Sequence, residues 1–204
     1  MCGILVVRFA FAARPLVAAI QGNHMPRTLG YHVVKSGYGL WLPGDDRGSW
    51  SEAWDEQIGY IEPHTLHPGD PVRKRMAEER MKHEPVRFTD AMRAVIADTL
   101  GDLIARSRGG LSVTAATIEP THVHLLIPYS GRDIDITAKW IADQTTKAIH
   151  KKCDHPGPVW TKNAWRVFVY TPQHWNATDA YIHRHNHRAG RPDNQYPWIT
   201  PISM

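Results

Sequence analysis

Apolar periodicity alternates along residues 30–190 between a period of two and a period near 3.6, in the order strand, helix, strand, strand, helix, strand, helix. That order predicts an α+β chain. A β-α-β-β-α-β core folds most simply as a ferredoxin-like (RRM-like) antiparallel sheet with helices on one face, and the last helix is a C-terminal addition. Two local signals agree with it: threonine caps open the first and last of these helices, and a short Glu119-Pro120 turn joins the two central strands. At 204 residues and 42% apolar content, the chain is large enough to bury one sizeable core.

Residues 1–29 fit this core least. Gly3 to Ile20 is largely apolar yet carries Arg8 and Arg14, is short for a membrane span, and has no basic segment ahead of it. It is expected to be a poorly defined N-terminal extension, disordered or loosely helical, with Met25 as an alternative start. Residues 30–204 are then a single domain with a polar insertion at about 51–86.

The first strand reads from Tyr31 to Lys35. The insertion holds one solvated helical piece near Val72 to His83. The next helix runs from about Thr89 to Arg106: Met92, Val95, Ile96, Leu100 and Leu103 recur at helical spacing, and Gly109-Gly110 stops it. Leu111 to Ile118 reads as a strand rich in β-branched residues, followed by a strand through His122 to Ile127. A helix from about Ile134 to Lys151 turns Trp140, Ile141 and Ile149 to one side, with Lys139, Lys147, Lys151 and Lys152 making the rest basic. Val159 to Tyr170 is a strand or strand pair broken around Lys162-Asn163. In the last helix Thr171 is the N-cap, Pro172 takes the first position and Gly190 closes the end.

Composition narrows function only loosely. The net charge of +4 and thirteen histidines, with a pI near 9.1, suit a polyanionic partner. Cys2 and Cys153 have no metal-type spacing and form no disulfide framework, which suits a reducing compartment.

Three stretches carry chemistry. In Thr121-His122-Val123-His124-Leu125-Leu126, residues two apart share a face of a strand, so His122 and His124 stand side by side while Val123 and Leu125 turn into the core. Such a pair can hold a divalent metal or be two strand histidines bonded to neighbours. The segment from Ser36 to Trp50 packs glycines with Tyr38, Trp41 and Trp50 around Arg47. It is either a shaped loop that stacks bases and meets a phosphate, or a loop pinned by its own tryptophans. In the last helix, Tyr181 and His185 are four apart on one face with Arg188 near the same stripe, while His183 and His187 pair on another. A phenol, with a pKa near 10, is a weak nucleophile unless a metal draws charge from the phosphate it attacks.

Taken together, His-Val-His running into Leu-Leu-Ile, and a Tyr181-Ile182 helix ending in Ala189-Gly190, resemble the single-tyrosine HUH transposases. The REP-associated tyrosine transposase branch is the nearest. Tyr38-Gly39-Leu40-Trp41-Leu42-Pro43-Gly44-Asp45 and Val159-Trp160-Thr161-Lys162, continuing through Trp165-Arg166-Val167-Phe168 to Thr171-Pro172, resemble further signatures, so the likeness covers about residues 30–200. The resemblance implies that His122 and His124 bind a divalent metal, Mg²⁺ or Mn²⁺, and that Tyr181 cuts single-stranded DNA to leave a 5′-phosphotyrosyl link and a free 3′-hydroxyl. Members carry Asn or Gln four residues after the tyrosine; here His185 stands there, and three imidazoles favour softer ions such as Mn²⁺, Co²⁺ or Zn²⁺. His185-Asn186-His187-Arg188 also replaces an Asn-Pro ending.

The implied partner is single-stranded or hairpin DNA, held by Tyr38, Trp41, Arg47, Lys139, Lys147 and Arg188, in a bacterial cytoplasm and with no membrane. A single tyrosine cutting two ends requires a homodimer or two successive rounds. The competing readings are a non-catalytic DNA-binding protein on the same fold, a metal-dependent phosphoester hydrolase that leaves no adduct, and a structural histidine cluster.

Overall fold

The computed structural model describes residues 27–50, 54–55, 59–60, 66–202 and 204. Most of the expected N-terminal extension, and part of the insertion, therefore lie outside the described residues. β1 (Gly30–Ser36) leads into an insertion of short paired strands, β2 (Ser49–Trp50) with β5 (Leu66–His67) and β3 (Trp54–Asp55) with β4 (Gly59–Tyr60), and then α1 (Pro71–Glu79). The core continues with α2 (Asp90–Arg106), β6 (Ala115–Ile118), β7 (His122–Pro128), α3 (Ile134–Lys152), β8 (Trp165–Val169) and α4 (Pro172–Arg188).

Four strands form one antiparallel sheet in the order β6-β7-β1-β8. Counting only the core strands this is 2-3-1-4, the ferredoxin-like arrangement expected from the element order. Alternation sorts side chains to two faces. Val33, Val123, Leu125 and Ile127 pack with Ile96, Leu100 and Leu103 of α2 and with Ile134, Ile141 and Ile149 of α3. On the other face, Leu126, Ala115 and Val169 meet Trp175 and Ile182 of α4. Two helices thus cover one face and the added helix the other.

The caps act as their chemistry predicts. Thr89 Oγ1 accepts from the Met92 amide and Thr171 Oγ1 from the His174 amide. Three elements are shorter than expected, among them Val159 to Tyr170, where Trp160 forms only a bridge to Gly37 and β8 spans Trp165–Val169. α1 ends at Glu79 with Arg80 as its C-cap, and it buries no side chain, so nothing holds a further turn toward His83. The strand expected from Leu111 begins only at Ala115. Val113 instead bridges Ile199 in the C-terminal segment, and its carbonyl accepts from the Thr200 amide at 2.9 Å.

Gly30 sets how closely α4 approaches the sheet. A Cβ there would lie 2.5 Å from the Ile127 carbonyl oxygen and 2.7 Å from Trp175 Cζ3, so only hydrogen lets the indole seat on β1. Trp175 is fully buried, and its Nε1 donates to the Ile202 carbonyl. The far end of α4 is held by Asn186, also fully buried. Its Nδ2 donates to the Ala116 carbonyl at 3.1 Å, and its Oδ1 accepts from Gln195 Nε2 at 3.1 Å. The helix runs unbroken through His185-Asn186-His187-Arg188. No helix among the described residues is long and apolar enough to cross a membrane.

Candidate metal centre and tyrosine

The pinning of α4 lays Tyr181 and His185 over the sheet face that displays the β7 histidines. His122 and His124 ring centroids are 4.6 Å apart, His124 and His185 4.7 Å, and His122 and His185 5.6 Å. One ligand nitrogen from each of the three lies within 4.8 Å of the others. Tyr181 sits beside them, its ring 4.9 Å from His185 and 5.5 Å from His124. At 39% exposed, it remains open to solvent and to a substrate.

The donor set suits a cation. His124 Nε2 and His185 Nε2 are both buried with no hydrogen-bond partner, an arrangement costly for two polar nitrogens unless something binds them. Thr121 Oγ1 holds His122 Nδ1 at 2.7 Å, leaving the Nε2 of that ring for a ligand. Burial first, and then the neighbouring imidazoles, hold His124 well below the usual histidine range. Burial and then His185 bring His122 to about 4. His185 is lowered too, again mainly by burial, with Arg188 and Arg184 adding to the effect and Glu119 opposing it. All three rings are therefore neutral near pH 7, the protonation state a metal ligand requires. The His122, His124 and His185 cluster can hold a metal ion.

His32 completes the cluster and was absent from the sequence-derived site. It lies on β1, 6% exposed, with its Nε2 2.8 Å from His124 Nδ1 and its ring stacked 5.0 Å from that of His124. Burial brings it to about 4. The signal was present in Tyr31-His32-Val33, where alternation turns His32 away from the Val33 face, but only the pairing of β1 with β7 places it against His124.

The residues expected to bind DNA divide. Arg188 and Arg184 are exposed on α4, and the Arg184 guanidinium lies 5.7 Å from the Tyr181 ring centroid. Arg191, just past α4, donates to the Ile118 carbonyl and pairs with Glu119. Lys139 and Lys147 instead lie on α3, across the sheet from the histidines, and Lys139 pairs with Asp143 at 2.7 Å. In the glycine-rich loop, Trp41 Nε1 donates to the Gly48 carbonyl and the Arg47 guanidinium lies over the Trp41 ring at 4.8 Å. Arg47 also pairs with Asp45 at 2.6 Å, and this hydrogen-bonded partner holds the Asp45 carboxyl below its usual range. Gly44 closes the turn at φ +83°, where a Cβ would meet the Asp70 carbonyl oxygen at 2.4 Å. Tyr38 is half-buried against the main core, near His83. The Trp50 side chain lies outside the described set.

The second histidine pair of α4 has a different environment. Asp193 Oδ1 lies 3.0 Å from His183 Nδ1 and 2.8 Å from His187 Nε2, and Asp179 Oδ2 lies 3.3 Å from His183 Nε2. Asp193 ties the helix to the turn that follows it, while Asp179 pairs with His183 within the helix.

No protein-family model matches the chain, and no curated protein matches it. Among solved structures, it is similar to a REP-associated tyrosine transposase bound to a REP hairpin, at 11% identity and a TM-score of 0.39, covering 84% of this chain and 74% of that one. It is also similar to a candidate transposase from Deinococcus radiodurans R1, at 15% identity and a TM-score of 0.37, covering 87% and 98% respectively.

Proposed function

We propose that the protein is a DNA strand transferase of the single-tyrosine HUH type, cutting single-stranded DNA through Tyr181. The observation that carries this reading is one helix holding a solvent-accessible phenol and a histidine one turn apart, packed against the two strand histidines, with the Nε2 atoms of His124 and His185 buried and unpartnered. A divalent ion on His122, His124 and His185 would draw charge from the phosphate oxygens and stabilise the transition state.

The chain's own groups do the rest. Tyr181 Oη attacks the phosphorus, the bond to the 3′-oxygen breaks, and a 5′-phosphotyrosyl link forms. The phenolic proton leaves to solvent on the open side of the ring, and the departing 3′-oxygen takes up a proton to become the hydroxyl. Reversal by an incoming 3′-hydroxyl reseals DNA with no nucleotide cofactor, because the covalent link retains the phosphodiester energy. Arg184, beside the Tyr181 ring, and Arg188, exposed farther along α4, suit contacts to the phosphate backbone. Trp165, 37% exposed and edge-on to His32 at 5.7 Å, suits an unpaired base.

The test is incubation of the protein with end-labelled single-stranded DNA and Mn²⁺, resolved on a denaturing gel. A labelled band at the mass of protein plus DNA is expected, and it is lost in Tyr181→Phe. Release of free fragments with no adduct would favour the hydrolase reading, and binding with neither product would favour the non-catalytic one.

A further inference from the structure

His32 is the one imidazole of this cluster whose nitrogen points at another histidine rather than at the shared centre. Its Nε2 meets His124 Nδ1 at 2.8 Å in a buried contact, while His124 Nε2, on the far side of the same ring, is buried and unpartnered. A neutral imidazole has one donor and one acceptor nitrogen, so the proton on His124 sits on Nδ1 or on Nε2. If His32 donated to Nδ1, the proton would sit on Nε2, a buried N–H with nothing to receive it. If His124 donates from Nδ1 to His32, its Nε2 carries a lone pair aimed at His122 and His185.

We infer that His32 is a positioning residue for the metal centre, its Nε2 accepting from His124 Nδ1–H and fixing the tautomer in which His124 Nε2 can bind an ion. The inference rests on the metal-centre reading of His122, His124 and His185. Outer groups that orient a ligating histidine are ordinarily carboxylates, backbone carbonyls or water; here the acceptor is an imidazole. Thr121 Oγ1 takes the equivalent place for His122. The register explains why β1 supplies the acceptor. Val34 pairs directly with His124, so His32, two residues earlier on the same face, reaches it diagonally. Its ring is held between Trp165 and Tyr181 at 5.7 and 5.9 Å, which also places it in the wall beside the phenol.

Packing and hydrogen bonding are separable by two substitutions. His32→Phe keeps a flat ring and removes the acceptor, whereas His32→Gln loses the ring and restores an acceptor oxygen at similar reach. Titration of the full chain with Co²⁺ or Mn²⁺ is expected to show His32→Phe binding roughly 10–100-fold more weakly than the parent and His32→Gln recovering most of that loss. Equal affinity in His32→Phe and the parent, or a loss in His32→Gln as large as in His32→Phe, would overturn the inference. The imidazole ¹⁵N shifts of the metal-free parent give a reading that needs no variant to fold. His124 protonated on Nδ1 is expected, and His124 protonated on Nε2 would refute the assignment. A parent that binds neither ion while showing the Nδ1–H tautomer would sink the metal-centre reading, and with it the inference.

Discussion

Helix α4 carries two histidine motifs of identical spacing, and they differ in almost everything else. On one stripe Tyr181 and His185 face the sheet, where His185 has a buried nitrogen with no partner and meets His122 and His124. On the other, His183 and His187 share Asp193, with Asp179 beside His183. Spacing alone does not distinguish a metal ligand from a structural histidine; the partner on the far side of the ring does. On the second stripe a carboxylate lies 2.8–3.3 Å from each imidazole and supplies a countercharge. On the first stripe, burial disfavours the charged form of His185 against the opposing pull of Glu119, and its Nε2 is left without a partner.

The largest expected difference between the stripes is in metal affinity. His122→Ala or His124→Ala should weaken Mn²⁺ or Co²⁺ binding by more than the roughly 10–100-fold typical of outer-shell changes, and DNA cleavage should fall with it. Isothermal titration checks this, and unchanged affinity would show that the metal sits elsewhere.

Acid should act next, on the sheet histidines that face the first stripe. His32 and His122 have folded-state values near 4, and His124 lies well below the usual range, against 6.5 in the unfolded chain. Between these limits the unfolded state binds more protons, so the stability these neutral rings contribute is present above about pH 6.5 and lost as pH falls toward 4. The metal-free protein should lose on the order of 10 °C in Tm between pH 7 and pH 4.5, as read by scanning calorimetry. A flat profile over that range would mean that the rings are not buried neutral.

Asn186 links the two stripes and is expected to have a smaller effect. Asn186→Ala leaves the buried Ala116 carbonyl without its donor, a cost of about 1–3 kcal/mol visible as a shift in the urea midpoint. His187→Ala should do least. Its side chain is 60% exposed, so stability should change by under about 1 kcal/mol and metal affinity not at all. A drop in metal affinity there would erase the distinction between the stripes.

Much of this was legible in the residues. Thr89 and Thr171 announce their helices because a hydroxyl before an apolar repeat has one good use, and period-two alternation alone puts His122 and His124 on one face. His185 and Tyr181 follow from helical spacing. What escaped depends on tertiary register or on the side of the sheet. His32 becomes part of the site only once β1 lies beside β7. Lys139 and Lys147 carry the charge expected of a DNA surface, yet α3 crosses on the opposite face from the histidines, which no local pattern records. Arg47 was legible as a cation, and its pairing with Asp45 two residues earlier was available in the sequence but competes with any phosphate.

We propose that Tyr181, held beside the imidazoles of His32, His124 and His185, becomes covalently joined to DNA. The direct measurement is proteolysis of the protein–DNA adduct formed with Mn²⁺, followed by mass spectrometry to find the nucleotide-bearing residue. A nucleotide phosphate on the peptide containing Tyr181, and on no other, is the expected result. A link to Tyr129 or Tyr170, both at least as exposed as Tyr181 but outside the cluster, would rule out Tyr181 as the nucleophile.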